Sequence, residues 1–358
     1  MNQERLDRIF AAMKENDMPQ LIISDPMMVY YLTGAKLRSG ERMQVILLKD
    51  DGTATIFAND LFPNITKLGL PVVFHNDVDD AVEQLNSYMY QGKTIAIDKN
   101  WPARFVLRLQ ELNSGKTVNS SFIVDYVLQI KSPAEQELMI KSSLINDTVV
   151  GRVIEIVGKG YDELEMQERT RAIYAEEGCE GTSFTPIIAF EKNAADPHHG
   201  ADHSKGKRGD CVVIDIGGMK DGYASDITRT VFLGEMSARQ KEIYDIVLEA
   251  NLRGIAAAKP GARMCDVDNA ARGYITEKGF GQYFTHRTGH SIGIEDHEYG
   301  DVSSVNTDII KPGQCFSVEP GIYIPEEGIG VRIEDLVLVT EDGCEILNHV
   351  SKELTILK

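Results

Sequence analysis

Residues Gly209-Asp210-Cys211-Val212-Val213-Ile214-Asp215 line up with Gly313-Gln314-Cys315-Phe316-Ser317-Val318-Glu319 at an offset of 104, each a turn, an apolar run and then an acid. A short apolar run bounded by turn residues reads as a strand. Upstream of each, Ser132-Pro133-Ala134-Glu135 and Ser237-Ala238-Arg239-Gln240 are capping boxes 105 residues apart. A cap residue whose side chain and N3 partner satisfy each other's backbone donors opens a helix, and proline suits the first helical position. The first of these helices is expected to run toward Gly158 or Gly160. Two readings fit: a duplicated unit of helix, helix, strand and hairpin across residues 130 to 350, or chance likeness between two strand entries.

Upstream of Lys131 the texture differs. Helical patterns alternate with short β-branched runs, Leu21 to Ile23, Val45 to Leu48, Thr53 to Phe57, Val72 to Phe74 and Thr94 to Ile97, the pattern of an α/β domain. The chain of 358 residues is long enough for two domains, and the reading divides it into an α/β domain over residues 1–127 and an α+β domain over 128–358, the latter with an internal pseudo-twofold repeat if the likeness of its halves is a duplication.

Composition narrows the chemistry. Hydrophobic residues at 42% and charged residues at 26% belong to a folded globular chain rather than a disordered one. The formal charge of −18 repels polyphosphate, which argues against nucleic acid or an anionic membrane as partner. That charge is uneven: residues 1 to 130 hold 13 basic and 16 acidic side chains, so the remainder carries most of the surplus carboxylate. Either those acids form a solvated surface or some are neutralised by bound cations. Five scattered cysteines without a C-x-x-C pair suit a reducing cytosol, and the N-terminus has helical spacing rather than the apolar core of a signal peptide. A cytoplasmic protein with no membrane span is expected.

The acids after the two strand entries are the informative ones. Cys211 to Ile216 and Tyr223 to Val231 read as a hairpin. A turn centred on Lys220 and Asp221 sets Asp215 opposite Asp226. In the second half, Phe316 to Ile324 and Ile329 to Val339 flank Pro325-Glu326-Glu327-Gly328, which sets Glu319 opposite Glu334. Directly opposed like charges are destabilising. Unless the register slips or the acids face solvent, something positive lies between them. Six of the eight histidines fall in two windows, His198, His199 and His203, then His286, His290 and His297. Histidine beside opposed carboxylates favours ligation and proton transfer. An oxygen-rich set selects hard or borderline divalent ions such as Mn²⁺, Co²⁺ or Zn²⁺, and four carboxylates call for two of them. No phosphate loop, G-x-G-x-x-G after a strand or G-x-S-x-G elbow occurs, and His297-Glu298 lacks the second histidine of H-E-x-x-H.

The string His286-Arg287-Thr288-Gly289-His290, followed by Glu319-Pro320-Gly321 and Arg332-Ile333-Glu334-Asp335, resembles the Xaa-Pro peptidases, of prolidase and aminopeptidase P type, in the pita-bread metallopeptidase family M24. Residues up to about 125, with Tyr31-Leu32-Thr33-Gly34, resemble the creatinase-type N-terminal domain of those enzymes. The resemblance implies a pita-bread catalytic domain whose two metal ions are held by Asp215, Asp226, His290, Glu319 and Glu334, with Asp226 and Glu334 bridging and Mn²⁺ the first choice. It also implies that a metal-bridging hydroxide attacks, that Glu319 takes its proton, and that His198 and His297 hold the scissile amide and its adduct. His286 matches a further family histidine. Arg332 is implied to orient Glu334 and the substrate end; alternatively it only neutralises Glu334 and Asp335.

The leading expectation is a dinuclear Xaa-Pro dipeptidase acting on short X-Pro peptides, and relatives imply a homodimer. The bond before proline is a tertiary amide without an N–H, so a specialist pocket is reasonable. Two further readings stay open, an aminopeptidase P-like enzyme for longer peptides and a non-catalytic pita-bread binding module. Ser291 and Asp296 stand where glycine and an aliphatic residue are commoner in the family. Some of its dipeptidases place an arginine soon after the His-Glu pair to bind the proline carboxylate, whereas Glu298 to Lys311 contains none.

Overall fold

The computed structural model describes residues 1–37 and 40–358. The chain divides into two compact units, Met1–Leu128 and Gln129–Lys358.

The first unit is built on a six-stranded sheet of β1 (Gln20–Ile23), β2 (Val45–Lys49), β3 (Ala54–Asn59), β4 (Val72–His75), β5 (Ile95–Ile97) and β6 (Thr117–Asn119), in the order β4-β3-β2-β1-β5-β6. Only β1–β2 and β2–β3 pair antiparallel. Leu21, Ile22 and Ile23 are all fully buried, because a strand covered on both faces is apolar throughout rather than alternating. The five apolar runs of the sequence are its first five strands. The sixth, Thr117–Asn119, is three polar-flanked residues with no periodic signal.

In the second unit the capping boxes work as the sequence leads one to expect. Ser132 and Glu135 each accept the other's backbone N–H at the start of the helix Pro133–Val157. Ser237 and Gln240 do the same at the start of Ala238–Ala257. Each such cap is worth about 1 kcal/mol. A second helix follows each, Glu163–Glu176 and Met264–Glu277. The strands are β7 (Gly181–Thr182), β8 (Ile187–Phe190), β9 (Cys211–Ile216), β10 (Gly218–Lys220), β11 (Tyr223–Ala224), β12 (Ile227–Leu233), β13 (Gly289–Ser291), β14 (Glu298–Val302), β15 (Cys315–Val318), β16 (Gly321–Ile324), β17 (Ile329–Arg332), β18 (Asp335–Val339), β19 (Cys344–Ile346) and β20 (Ile356–Leu357). They form sheets of order β11-β10-β7, β20-β12-β9-β8, β14-β13-β15-β18-β19 and β16-β17. In each half a helix pair precedes a central strand, β9 or β15, that pairs antiparallel on both sides. The halves are a repeat of one design. Ile214, Ile227 and Val153 pack in the first half, and Phe316, Val337 and Val267 in the second.

The hairpin registers depart from expectation. Asp215 pairs with Thr228, not with Asp226. The turn centres on Asp221 and Gly222, both at positive φ (51° and 81°), the backbone a two-residue hairpin turn demands and that aspartate and glycine tolerate. Lys220 therefore pairs with Tyr223, and Asp226 sits in the break between β11 and β12. The second hairpin keeps the expected register, Gly321 against Arg332 and Ile324 against Ile329. Yet Phe316 to Ile324 is not one strand. It breaks at Glu319-Pro320, where proline has no N–H to continue the ladder, and β17 gives way to β18 at Ile333-Glu334. All three of Asp226, Glu319 and Glu334 stand at strand breaks, with side chains free of ladder alternation.

Candidate metal centre

The residues singled out in the sequence converge on one cavity of about 500 Å³, lined by Asp215, Asp226, His286, His290, Glu319, Arg332 and Glu334, with His198 and His297 also on its wall. Oxygens or nitrogens of Asp226, His290 and Glu334 lie within 4.8 Å of one another. The His290 Nε2 stands 3.5 Å from a carboxylate oxygen of Asp226 and 3.5 Å from one of Glu319.

Local structure sets each group. His290 rides on β13 at a bulge between His290 and Ser291, a device that re-aims a side chain. A Cβ on Gly289 would fall 1.9 Å from the Ser317 carbonyl oxygen, so only glycine lets this strand come so close to β15. Ser317 Oγ accepts the His290 backbone N–H at 3.0 Å and donates to Glu319 at 3.1 Å. The His290 Nδ1–H points to the Ser291 carbonyl at 3.3 Å, which leaves the Nε2 lone pair facing the carboxylates. Thr228, the cross-strand partner of Asp215, donates its hydroxyl to Glu334 at 2.7 Å and accepts from Arg332 Nε at 3.1 Å. Arg332 also donates to the Tyr323 hydroxyl at 2.7 Å and pairs with Asp215. The alternative that Arg332 merely neutralises its neighbours fails for Asp335, whose carboxylate is taken by Arg229 and Lys352 at 2.8 and 2.7 Å.

One oxygen each of Asp215, Asp226, Glu334 and Asp296 is buried without any hydrogen-bond partner. Bare buried carboxylate oxygens are costly, and the protonation equilibria register that cost. Burial raises Asp226 far above the usual carboxylate range, helped by repulsion from Glu334 and Asp296. Burial does the same to Glu334, with Glu319 and Asp215 adding repulsion. Glu319 is pushed up to about 8 by burial, with Arg332 opposing. Asp296 is pushed up to about 7 by burial and the nearby Asp215. The carboxylates of Asp215, Asp226, Glu319 and Glu334, with Asp296 beside them, and the His290 imidazole are a donor set that fits hard or borderline divalent cations.

The histidines differ in kind. His286 donates from Nδ1 to the Arg287 carbonyl at 2.7 Å and accepts the Tyr323 hydroxyl on Nε2 at 2.9 Å. Burial lowers it to about 3, so it is neutral at any physiological pH. His297 accepts from Arg287 on Nδ1 at 3.2 Å, which puts its proton on Nε2. Its ring centroid lies 3.9 Å from that of His290. His198 is exposed at the rim, its loop tied down by its neighbour His199, whose Nε2 donates to Glu163 at 2.7 Å. Sequence reasoning missed Thr228, Ser317 and Tyr323 as site residues. Thr228 is the second residue of β12 and Tyr323 the third of β16, positions legible only once the register is known.

A second acid-histidine group, Glu163, His199 and Asp202, also brings ligand atoms within 4.8 Å of one another. Here, though, Glu163 accepts from Phe190 N, Asn193 Nδ2, His199 Nε2 and Asp202 N at 2.7 to 3.0 Å.

Comparison with known proteins agrees with this geometry. The family described as metallopeptidase family M24 matches residues 137–341, and the creatinase/prolidase N-terminal domain matches residues 5–126. An Xaa-Pro dipeptidase from Pyrococcus furiosus is 36% identical over 98% of this chain and 99% of its own. Among solved structures, a prolidase from Thermococcus sibiricus superposes with a TM-score of 0.93 at 32% identity, covering 100% of both chains. A dipeptidase from Mycobacterium ulcerans does so at 0.94 and 31%, covering 99% of this chain and 97% of that one.

Proposed function

Since the chain belongs to metallopeptidase family M24, with a creatinase/prolidase N-terminal domain ahead of a pita-bread catalytic domain, and is a metal-dependent hydrolase, we propose that it is a dinuclear Xaa-Pro dipeptidase. Asp215, Asp226, His290, Glu319 and Glu334 hold the two ions, with Mn²⁺ the first choice and Co²⁺ or Zn²⁺ the others. The observation that carries this reading is the set of bare oxygens on Asp215, Asp226 and Glu334 around one imidazole.

When bound, the cations supply Lewis acidity toward the scissile carbonyl and acidify the attacking water. The chain's own groups do the rest. Glu319, steadied by Ser317, takes the proton of that water and passes it toward the leaving proline nitrogen. His297, with Nδ1 occupied by Arg287, offers its Nε2–H to the oxygen on which negative charge develops, and His198 holds the amide from the rim. His286 stays neutral and works through Tyr323, whose hydroxyl it orients toward Arg332. Arg332 in turn fixes Asp215 and, through Thr228, Glu334.

The domain limits proposed are 1–127 and 128–358, supported by the family matches and the compact units. Five free cysteines support a cytoplasmic setting. Among the described residues no helix is long and apolar enough to cross a membrane. The resemblance to the family supports a homodimer. The absence of arginine from Glu298 to Lys311 favours one competing reading, an aminopeptidase P-like preference for longer peptides. Hydrolysis of Ala-Pro against Ala-Pro-Ala-Ala by chelated and Mn²⁺-restored protein separates them. The dipeptidase reading expects metal-dependent cleavage with Ala-Pro preferred; preference for the tetrapeptide would overturn it, and no cleavage of either would favour a binding module.

A further inference from the structure

Two arginines line the cavity, and they are engaged very differently. Arg332 spends its donors on Thr228, Tyr323 and Asp215. The Arg287 guanidinium makes one hydrogen bond, to His297 Nδ1, and among the described residues no carboxylate lies within ion-pair distance of it. A guanidinium has five N–H donors in a fixed fork and never loses its charge. Four of those donors are therefore unused, on the wall of a substrate cavity. An arginine so placed is a receptor for an anion, and a carboxylate can take two of its donors side by side.

Its position says which anion. The His297 ring separates Arg287 from His290, whose Nε2 is 3.5 Å from Glu319 and Asp226. The guanidinium is thus one imidazole away from the reacting centre. In an Xaa-Pro dipeptide the terminal carboxylate carbon is only about 3 to 4 Å from the scissile carbonyl carbon. A dipeptide whose carbonyl meets His297 Nε2 has its carboxylate within reach of a guanidinium bonded to the other nitrogen of the same ring. In a longer peptide that position is an uncharged amide.

We propose that Arg287 binds the C-terminal carboxylate of the dipeptide and so sets substrate length, a role the segment after His297-Glu298 has no arginine to fill. The proposal rests on the Xaa-Pro reading above. Its test compares Ala-Pro with Ala-prolinamide, the same scissile bond without the anion, for the Mn²⁺-loaded wild type, Arg287→Gln and Arg287→Lys. The wild type is expected to favour Ala-Pro by about ten-fold or more in kcat/KM, as a charge-assisted pair allows, mainly through KM. Arg287→Gln should bring the two substrates level, and Arg287→Lys should keep part of the preference. A loss in Arg287→Gln that is equal for both substrates, with the preference intact, would show that Arg287 acts only by fixing the His297 tautomer. If the glutamine variant does not fold, inhibition of the wild type by proline and by prolinamide gives the same answer: proline must be the stronger by about ten-fold, and equal inhibition overturns the proposal. A wild type that cleaves neither substrate contradicts the peptidase reading instead.

Discussion

Two acid-histidine groups in the catalytic unit have the same outline and opposite accounts of their oxygens. Around Glu163, every carboxylate lone pair that faces the protein meets a donor, two backbone N–H groups, an asparagine amide and His199. Around His290, Asp215, Asp226 and Glu334 each keep a buried oxygen that meets nothing. Residue type and proximity are equal in the two places, so neither distinguishes them. The difference is whether the fold supplies the positive partner. Where it does, the cluster is a brace for the loop that carries His198; where it withholds one, the site is built for a cation.

The largest expected effect breaks the second group. Asp226→Asn removes a charge and an oxygen donor from the proposed metal centre, and we expect at least about a thousand-fold loss of Ala-Pro hydrolysis with circular dichroism unchanged. Turnover near wild type would mean that Asp226 is not a ligand. The brace responds in the opposite sense. Glu163→Gln leaves His199 and two backbone donors without their anion, and removing one member of such a buried pair costs about 3 kcal/mol. The urea midpoint should fall while bound metal stays at the wild-type amount; metal loss at unchanged stability would reverse the assignment of the two groups.

A smaller effect sharpens the contrast through pH. In protein stripped by chelation, Asp296 and Glu319 titrate near 7 and 8 because burial opposes their charge, whereas in the unfolded chain they titrate near 4. Between those values the folded state binds more protons, so stability falls as pH rises through that window. The stripped protein should lose on the order of 5 °C in Tm between pH 5 and 8, and Mn²⁺, which replaces those protons, should flatten the slope. A Tm that rises over this range without metal would contradict the account.

Much of this was legible in sequence, and the limits are physical. The capping boxes and the strand entries at Cys211 and Cys315 are local signals, set by residue type and short spacing, whereas the five proposed ligands rest on the resemblance of their motifs to a family. The pairing of Asp215 with Thr228 was not, because it depends on which two residues take positive φ in the turn, and Asp221-Gly222 serves better than Lys220-Asp221. The breaks at Pro320 and Ile333 were likewise hidden inside runs that are apolar enough to read as continuous strands. Thr228, Ser317 and Tyr323 act through hydrogen bonds between segments distant in sequence, and their own neighbours carry no trace of that.

The central claim is that the bare oxygens of the His290 group are completed by two cations. Anomalous diffraction from Mn²⁺-soaked crystals tests it most directly. The account predicts two ions about 3.5 to 4 Å apart, touching Asp215, Asp226, His290, Glu319 and Glu334, and none at Glu163, His199 and Asp202. A cavity without metal beside an occupied Glu163 group would contradict it.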